Sequence, residues 1–143
     1  MKAFFDTNVL LDVLGPREPF YGASSRAWSM AAKGRITGFF SASILPTVFY
    51  IIRKSGGRES ARKAVRAIRD TLKYVPLDEL ISNQAMDSTI ADFEDAIQFF
   101  SALSAGADVL ITRNPKHFPA RDIIIQTPEE FLAAHFGMDR PGA

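Results

Sequence analysis

The chain has 143 residues, 47% of them apolar and 23% charged, with a formal net charge of +1. That length and composition suit one soluble domain with a real core and argue against two domains. The absence of cysteine excludes disulfides, thiolate chemistry and zinc–thiolate sites, and so small a net charge means that any anionic partner must be met by a local patch. The longest apolar runs are far too short to span a membrane. Met1 leads almost directly into Ala3-Phe4-Phe5-Asp6 with no charged-then-apolar leader, so a cytoplasmic protein is expected.

In chain order, Ala3-Phe4-Phe5 reads as a first strand, followed at once by a helix through Asn8, Leu10, Leu11 and Leu14 that Gly15-Pro16 ends. A second helix starts at about Pro19, with Phe20, Ala23, Ala27 and Met30 at helical spacing and Gly34 as its C′ residue. Residues 36–40 form a second strand. Residues 43–54 form a third helix, with Pro46 in its first turn. Beyond Ser55-Gly56-Gly57 a strongly periodic helix covers 58–72. A short strand over 73–76 and a helix over 77–87 come next. A helix over 92–104 is closed by Gly106, and strands over 109–111 and 123–125 end the alternation. Thr127-Pro128-Glu129-Glu130 has a capping-box pattern, with Thr127 as N-cap and Glu130 at N3.

Strands alternating with helices predict an α/β fold whose mostly parallel sheet, of about five strands, is flanked by helices. Such sheets place their sites outside the carboxyl ends of the strands. Asp6 directly follows the first strand and stands at that edge. Asp92 and Asp95 begin the helix before the fourth strand, and their i, i+3 spacing puts them on one face pointing to the same edge. Thr112, Arg113 and Asn114 follow the fourth strand and reach it too. Clustered carboxylates raise each other's pKa unless a cation neutralises them. Oxygen-only ligands favour Mg²⁺ or Mn²⁺ over Zn²⁺, and such an ion supports hydrolysis of a phosphodiester. Taken singly, each acid is more readily read as a helix cap or a dipole partner than as a ligand.

The motifs together resemble the PIN-domain nucleases. Phe5-Asp6-Thr7-Asn8-Val9-Leu10-Leu11-Asp12 is similar to the family's opening motif. Glu18-Pro19-Phe20-Tyr21, Phe49-Tyr50-Ile51-Ile52-Arg53-Lys54, Asp92-Phe93-Glu94-Asp95-Ala96, Thr112-Arg113-Asn114-Pro115-Lys116-His117-Phe118 and Thr127-Pro128-Glu129-Glu130-Phe131 follow in the family's order. The nearest likeness is to the toxin ribonucleases of bacterial type II toxin–antitoxin systems. The resemblance implies a three-layer α/β/α fold, with the domain at 1–135 and a tail at 136–143. It also implies RNA cleavage dependent on Mg²⁺ or Mn²⁺, homodimers and inhibition by a small protein antitoxin. Carried over, Asp6 and Asp95 are the central acids; beside them, Asp92 is expected as a further metal ligand and Asn114 as a member of the catalytic set, reaching the shell directly or through water. Two positions depart from the family pattern: Thr47 stands where many members have Glu, and Asn114 where many have Asp.

Other residues stay open between two readings. Thr7 and Asn8 either orient Asp6 or cap the first helix. Asp12 either points to a metal-bound water or forms a salt bridge, and Arg113 contacts a phosphate or pairs with an acid. Thr112 supports the edge. Arg58, Arg62, Arg66 and Arg69 form a basic stripe opposite Ala61, Val65, Ile68 and Leu72, either a track for an RNA backbone or a solvated helix face. His117 and His135 read as surface residues, and Trp28 with the phenylalanines as core. A phosphate-monoester hydrolase using Asp6 as nucleophile is disfavoured because Asn8 stands where a second acid is wanted. The non-enzymatic alternative is a degenerate PIN module that binds RNA or a protein without cutting it.

Overall fold

Ala3 and Phe5 face one side of the first strand and Phe4 the other, and all three are fully buried. A strand apolar on both faces must be covered on both faces. In the computed structural model, which describes residues 1–136, β1 (Lys2–Phe5) is the central strand of five, in the order β3-β2-β1-β4-β5. Its partners are β2 (Thr37–Ser41) and β4 (Val109–Ile111), with β3 (Lys73–Val75) and β5 (Ile124–Gln126) outside them. Every pairing is parallel. The expected fold class and strand number hold. Strands expected at 36–40 and 123–125 lie one residue later, because the ladder register with their neighbours, Lys2 with Thr37 and Val109 with Ile124, sets where pairing begins.

Helices α1 (Thr7–Leu14), α2 (Tyr21–Ala32), α3 (Leu45–Thr71) and α6 (Pro128–His135) cover one face. Their core joins Val9, Ala27, Ile52, Ile68 and Phe131 to Ala3, Phe5, Phe40 and Ile111. Helices α4 (Glu79–Met86) and α5 (Phe93–Ser104) cover the other, where Ile81, Ala96 and Phe99 meet Phe4 and Leu110. The two helices expected over 43–54 and 58–72 both form, end to end within α3, and are divided at Gly57, whose φ of 86° interrupts the helical run and suits a residue without Cβ. Gly34 takes the expected left-handed conformation after α2. At α6 the capping box forms as read, with Glu130 N donating to Thr127 Oγ1 and Thr127 N to Glu130 Oε1. Phe136, expected to open a tail, packs on the first core against Phe131. The rest of the expected tail, 137–143, lies outside the described residues. Among the described residues no helix is long and apolar enough to cross a membrane.

Gly38 on β2 shows how tightly α2 and α3 press the sheet. A Cβ there would collide with the Leu72 side chain and lie 3.1 Å from both Ala31 Cβ and Phe5 Cε1. Gly38→Ala is therefore expected to lower the unfolding free energy by about 1–3 kcal/mol, read as a lower denaturant midpoint. An unchanged midpoint would mean that Leu72 and α2 yield freely.

Candidate active site

Asp6 is the residue at which the central strand becomes a helix. Its backbone N–H still belongs to the ladder, donating to Ile111 O at 3.0 Å, while its side chain caps α1 by accepting from Thr7 N at 2.8 Å. The other carboxylate oxygen accepts from Thr112 Oγ1 at 2.8 Å, and Thr112 Oγ1 accepts in turn from Asn114 N at 3.1 Å. Register explains the meeting: Phe5 pairs with Ile111, so the next residues, Asp6 and Thr112, are neighbours. Asp6 is only 5% exposed and Thr112 is fully buried.

At the start of α5, Asp92 is the N-cap, its Oδ1 accepting from Asp95 N at 2.9 Å. Asp95 is half-buried, with His117 Nδ1 3.4 Å from its Oδ2. Asp6, Asp92, Glu94, Asp95 and Asn114 line one cleft of about 310 Å³, to which α3 contributes Thr47. Thr7, Asn8 and His117 add further polar groups, and Leu11 and Ile51 complete its walls. Burial, offset in part by the Thr112 hydrogen bond and reinforced by the charge of Asp95, pushes the Asp6 carboxyl from the ordinary 3.8 up to about 6. Asp95 is also raised, first by burial and then by Asp92, with His117 opposing.

Carboxylates gathered around one cleft, one of them buried, are a donor set suited to a hard divalent ion. Among the described residues no three His, Cys, Asp or Glu side chains are arranged to share one ion. Asp92, expected as a third ligand, spends one oxygen on its cap. Mg²⁺ commonly needs only one or two protein carboxylates and keeps several waters, so Asp6 and Asp95 fit that requirement.

Other expected site residues go elsewhere. Asp12 is fully buried and does not line the cleft. It pairs with Arg113, Nε to Oδ2 at 2.7 Å, and more loosely with Arg17 at 3.9 Å. Burial raises its pKa, and the two guanidinium groups pull it down. Arg113 also lies over the Phe20 ring, 4.1 Å from its centroid, so it takes the acid-pairing reading. Asp6, not Thr7 or Asn8, is the cap of α1. Arg58, Arg62 and Arg66 are exposed on the outer face of α3, away from the cleft, while Arg69 bonds its neighbour Asp70 at 2.9 Å. Two cleft residues escaped the sequence reading. Glu94 was flanked by two chosen acids, and His117 follows Asn114 by three residues on a 3-10 turn that brings it back to Asp95.

Known proteins resemble the chain in sequence and in fold. A model of the PIN domain matches residues 2–116. Ribonuclease VapC1 of Aquifex aeolicus is 25% identical over 135 residues, which cover 91% of this chain and 92% of that protein. Among solved structures, VapBC2 from Rickettsia felis bound to a DNA fragment from its promoter has a TM-score of 0.68 at 17% identity, covering 89% of this chain and 98% of that one. Mycobacterium tuberculosis VapC20, described as a sarcin-ricin loop cleaving toxin, has a TM-score of 0.61 at 17% identity, covering 83% and 91%.

The buried acids make stability depend on pH in a defined direction. Between about pH 4 and 6 the folded protein holds a proton on Asp6 that the unfolded chain has released, so unfolding free energy falls as pH rises. The loss is complete above pH 6 and amounts to about 3 kcal/mol. Denaturant titrations in chelator should show it, and Asp6→Asn should remove that component; the same slope in the variant would place the proton elsewhere. Asp12→Ala, which strands the Arg113 guanidinium, is expected to destabilise by about 3 kcal/mol in the same assay.

Proposed function

The chain belongs to the PIN-domain family, and from that premise we propose that it is a toxin-like endoribonuclease dependent on Mg²⁺ or Mn²⁺. The observation that carries this reading is the pair Asp6 and Asp95, facing one cleft at the carboxyl edge of the sheet with Asp6 almost wholly buried. These two residues would hold the ion, with Asp92 and Asn114 reaching its shell through water. When bound, the ion would neutralise the carboxylates, stabilise charge on a phosphoryl oxygen and acidify a water.

The chain's own groups prepare that chemistry. Thr112 and the Thr7 N–H fix both oxygens of Asp6, leaving their free lone pairs aimed at the cleft. The Asp92 cap holds the first turn of α5 and so the position of Asp95. The exposed amide of Asn114 offers a neutral donor to a phosphate oxygen, and Asn8, which also lines the cleft, another. Arg58, Arg62 and Arg66 on α3 supply charge for the RNA backbone at a distance from the reacting bond. A small protein antitoxin is the proposed partner and a homodimer the proposed assembly; for the antitoxin, the support is the fold shared with the VapBC2 protein of R. felis.

Cleavage of labelled single-stranded RNA with Mg²⁺ or Mn²⁺, with chelator as control, tests the reading. Asp6→Asn should reduce cleavage by about a hundredfold or more while RNA binding persists. Asn114→Asp should tighten Mg²⁺ binding in calorimetry by adding charge. Arg62→Ala with Arg66→Ala should leave metal binding unchanged and lower the salt-dependence slope of RNA binding by roughly 1.4. Thr47 and Asn114 line the cleft where acids would add charge. Wild-type protein that binds RNA but cuts it with neither metal would therefore be a binding module instead.

A further inference from the structure

The acidic cleft does not end at Asp95. A second, larger cleft of about 550 Å³ adjoins it, and Asp92, Asp95 and His117 line both. Beyond that shared wall the chemistry reverses. The remaining charged residues are Lys116 and Arg121, both cationic, set among Ile90, Phe118 and Pro119. The unshared charged residues of the first cleft are Asp6 and Glu94, both anionic. The two clefts thus meet at one wall, with anionic side chains on one side of it and cationic and apolar ones on the other.

We infer that the second cleft is the seat of one nucleotide of the substrate strand, the one flanking the bond cut at Asp6 and Asp95. This rests on the ribonuclease reading above. A nucleotide joins an apolar heterocycle to a phosphate anion, and the cleft offers both complements. Lys116 and Arg121 are exposed and suited to charge-assisted bonds with phosphate oxygens. Arg121 has a local partner, Asp122, at 3.6 Å, but both side chains are more than half exposed and such a pair is worth little against a phosphate. Ile90 and Phe118 belong to the core beneath, so the apolar surface offered to a base is firmly supported. The volume falls in the about 300–1,000 Å³ range of ligand pockets. A bare anion would leave the apolar half unused, and an apolar ligand would leave the two cations unpaired. The seat would therefore set base preference on one side of the cut.

Titration of the full-length protein with each nucleoside 5′-monophosphate in chelator, followed by amide resonances, tests this directly. Saturable shifts are expected at Ile90, Lys116, Phe118 and Arg121. Inorganic phosphate and the free nucleosides should bind at least about tenfold more weakly, as should Lys116→Ala with Arg121→Ala. Lys116→Arg, which keeps the charge, should keep the affinity. No saturable shift at this cleft with any nucleotide, equal affinity for inorganic phosphate, or wild-type affinity in the double variant would each overturn the inference. Cleavage of RNA by wild-type protein is read separately. Cleavage without nucleotide binding here removes the seat and keeps the nuclease, whereas nucleotide binding without cleavage keeps the seat and removes the nuclease.

Discussion

A carboxylate buried at the end of a central β-strand is costly, and much of this structure is arranged around Asp6. Parallel strands deliver their carboxyl ends to one edge, and β1 has a neighbour on each side. Its last side chain is therefore enclosed before any helix is added. The in-register pairing of Phe5 with Ile111 then supplies the hydroxyl of Thr112 as one partner, and the turn into α1 supplies the Thr7 N–H as the other. Two hydrogen bonds offset part of the desolvation and leave the rest, which is why the carboxyl sits near pH 6. Its hydrogen-bond partners are both neutral donors, so its charge is solvated by the protein without being paired.

Three consecutive residues after β4 join this edge to different parts of the molecule. Thr112 turns to Asp6, Arg113 to Asp12 and the Phe20 ring, and Asn114 to the cleft. Asp6 and Asp12 both belong to the α1 segment, so this one segment of chain clamps both ends of that helix to the sheet edge. The two buried acids are resolved differently. Asp12 has a guanidinium built beside it, whereas Asp6 has only neutral donors. The contrast separates a structural charge from one available to a ligand.

The near-neutral net charge hides a strong local separation. Acids gather in the cleft, Lys116 and Arg121 stand just beyond it, and the α3 arginines form an outer face elsewhere. For a polyanion, this pattern repels at the acidic cleft and attracts around it. The placement of charge, more than its total, governs encounter.

Much of this was legible in the chain itself. The alternation of Ala3-Phe4-Phe5 and the periodicity of 58–72 fixed the element types, because burial on two faces or on one stripe leaves a direct imprint on residue order. The capping box at Thr127 and the cap at Asp92 are local and were readable as such. That Asp6, Asp92, Asp95 and Asn114 reach one edge followed from strand direction alone. The pairing of Asp12 with Arg113, 101 residues apart, did not, since which face of α1 meets the β4 loop depends on helix packing that no local pattern encodes. Nor did the return of His117 to Asp95, made by a 3-10 turn set against a helix from another part of the chain. Sequence by itself determined which residues could carry charge to the edge. Tertiary structure decided which of those charges are paired off and which are left facing a cleft, because pairing is a matter of distance in space and desolvation a matter of everything packed around the group.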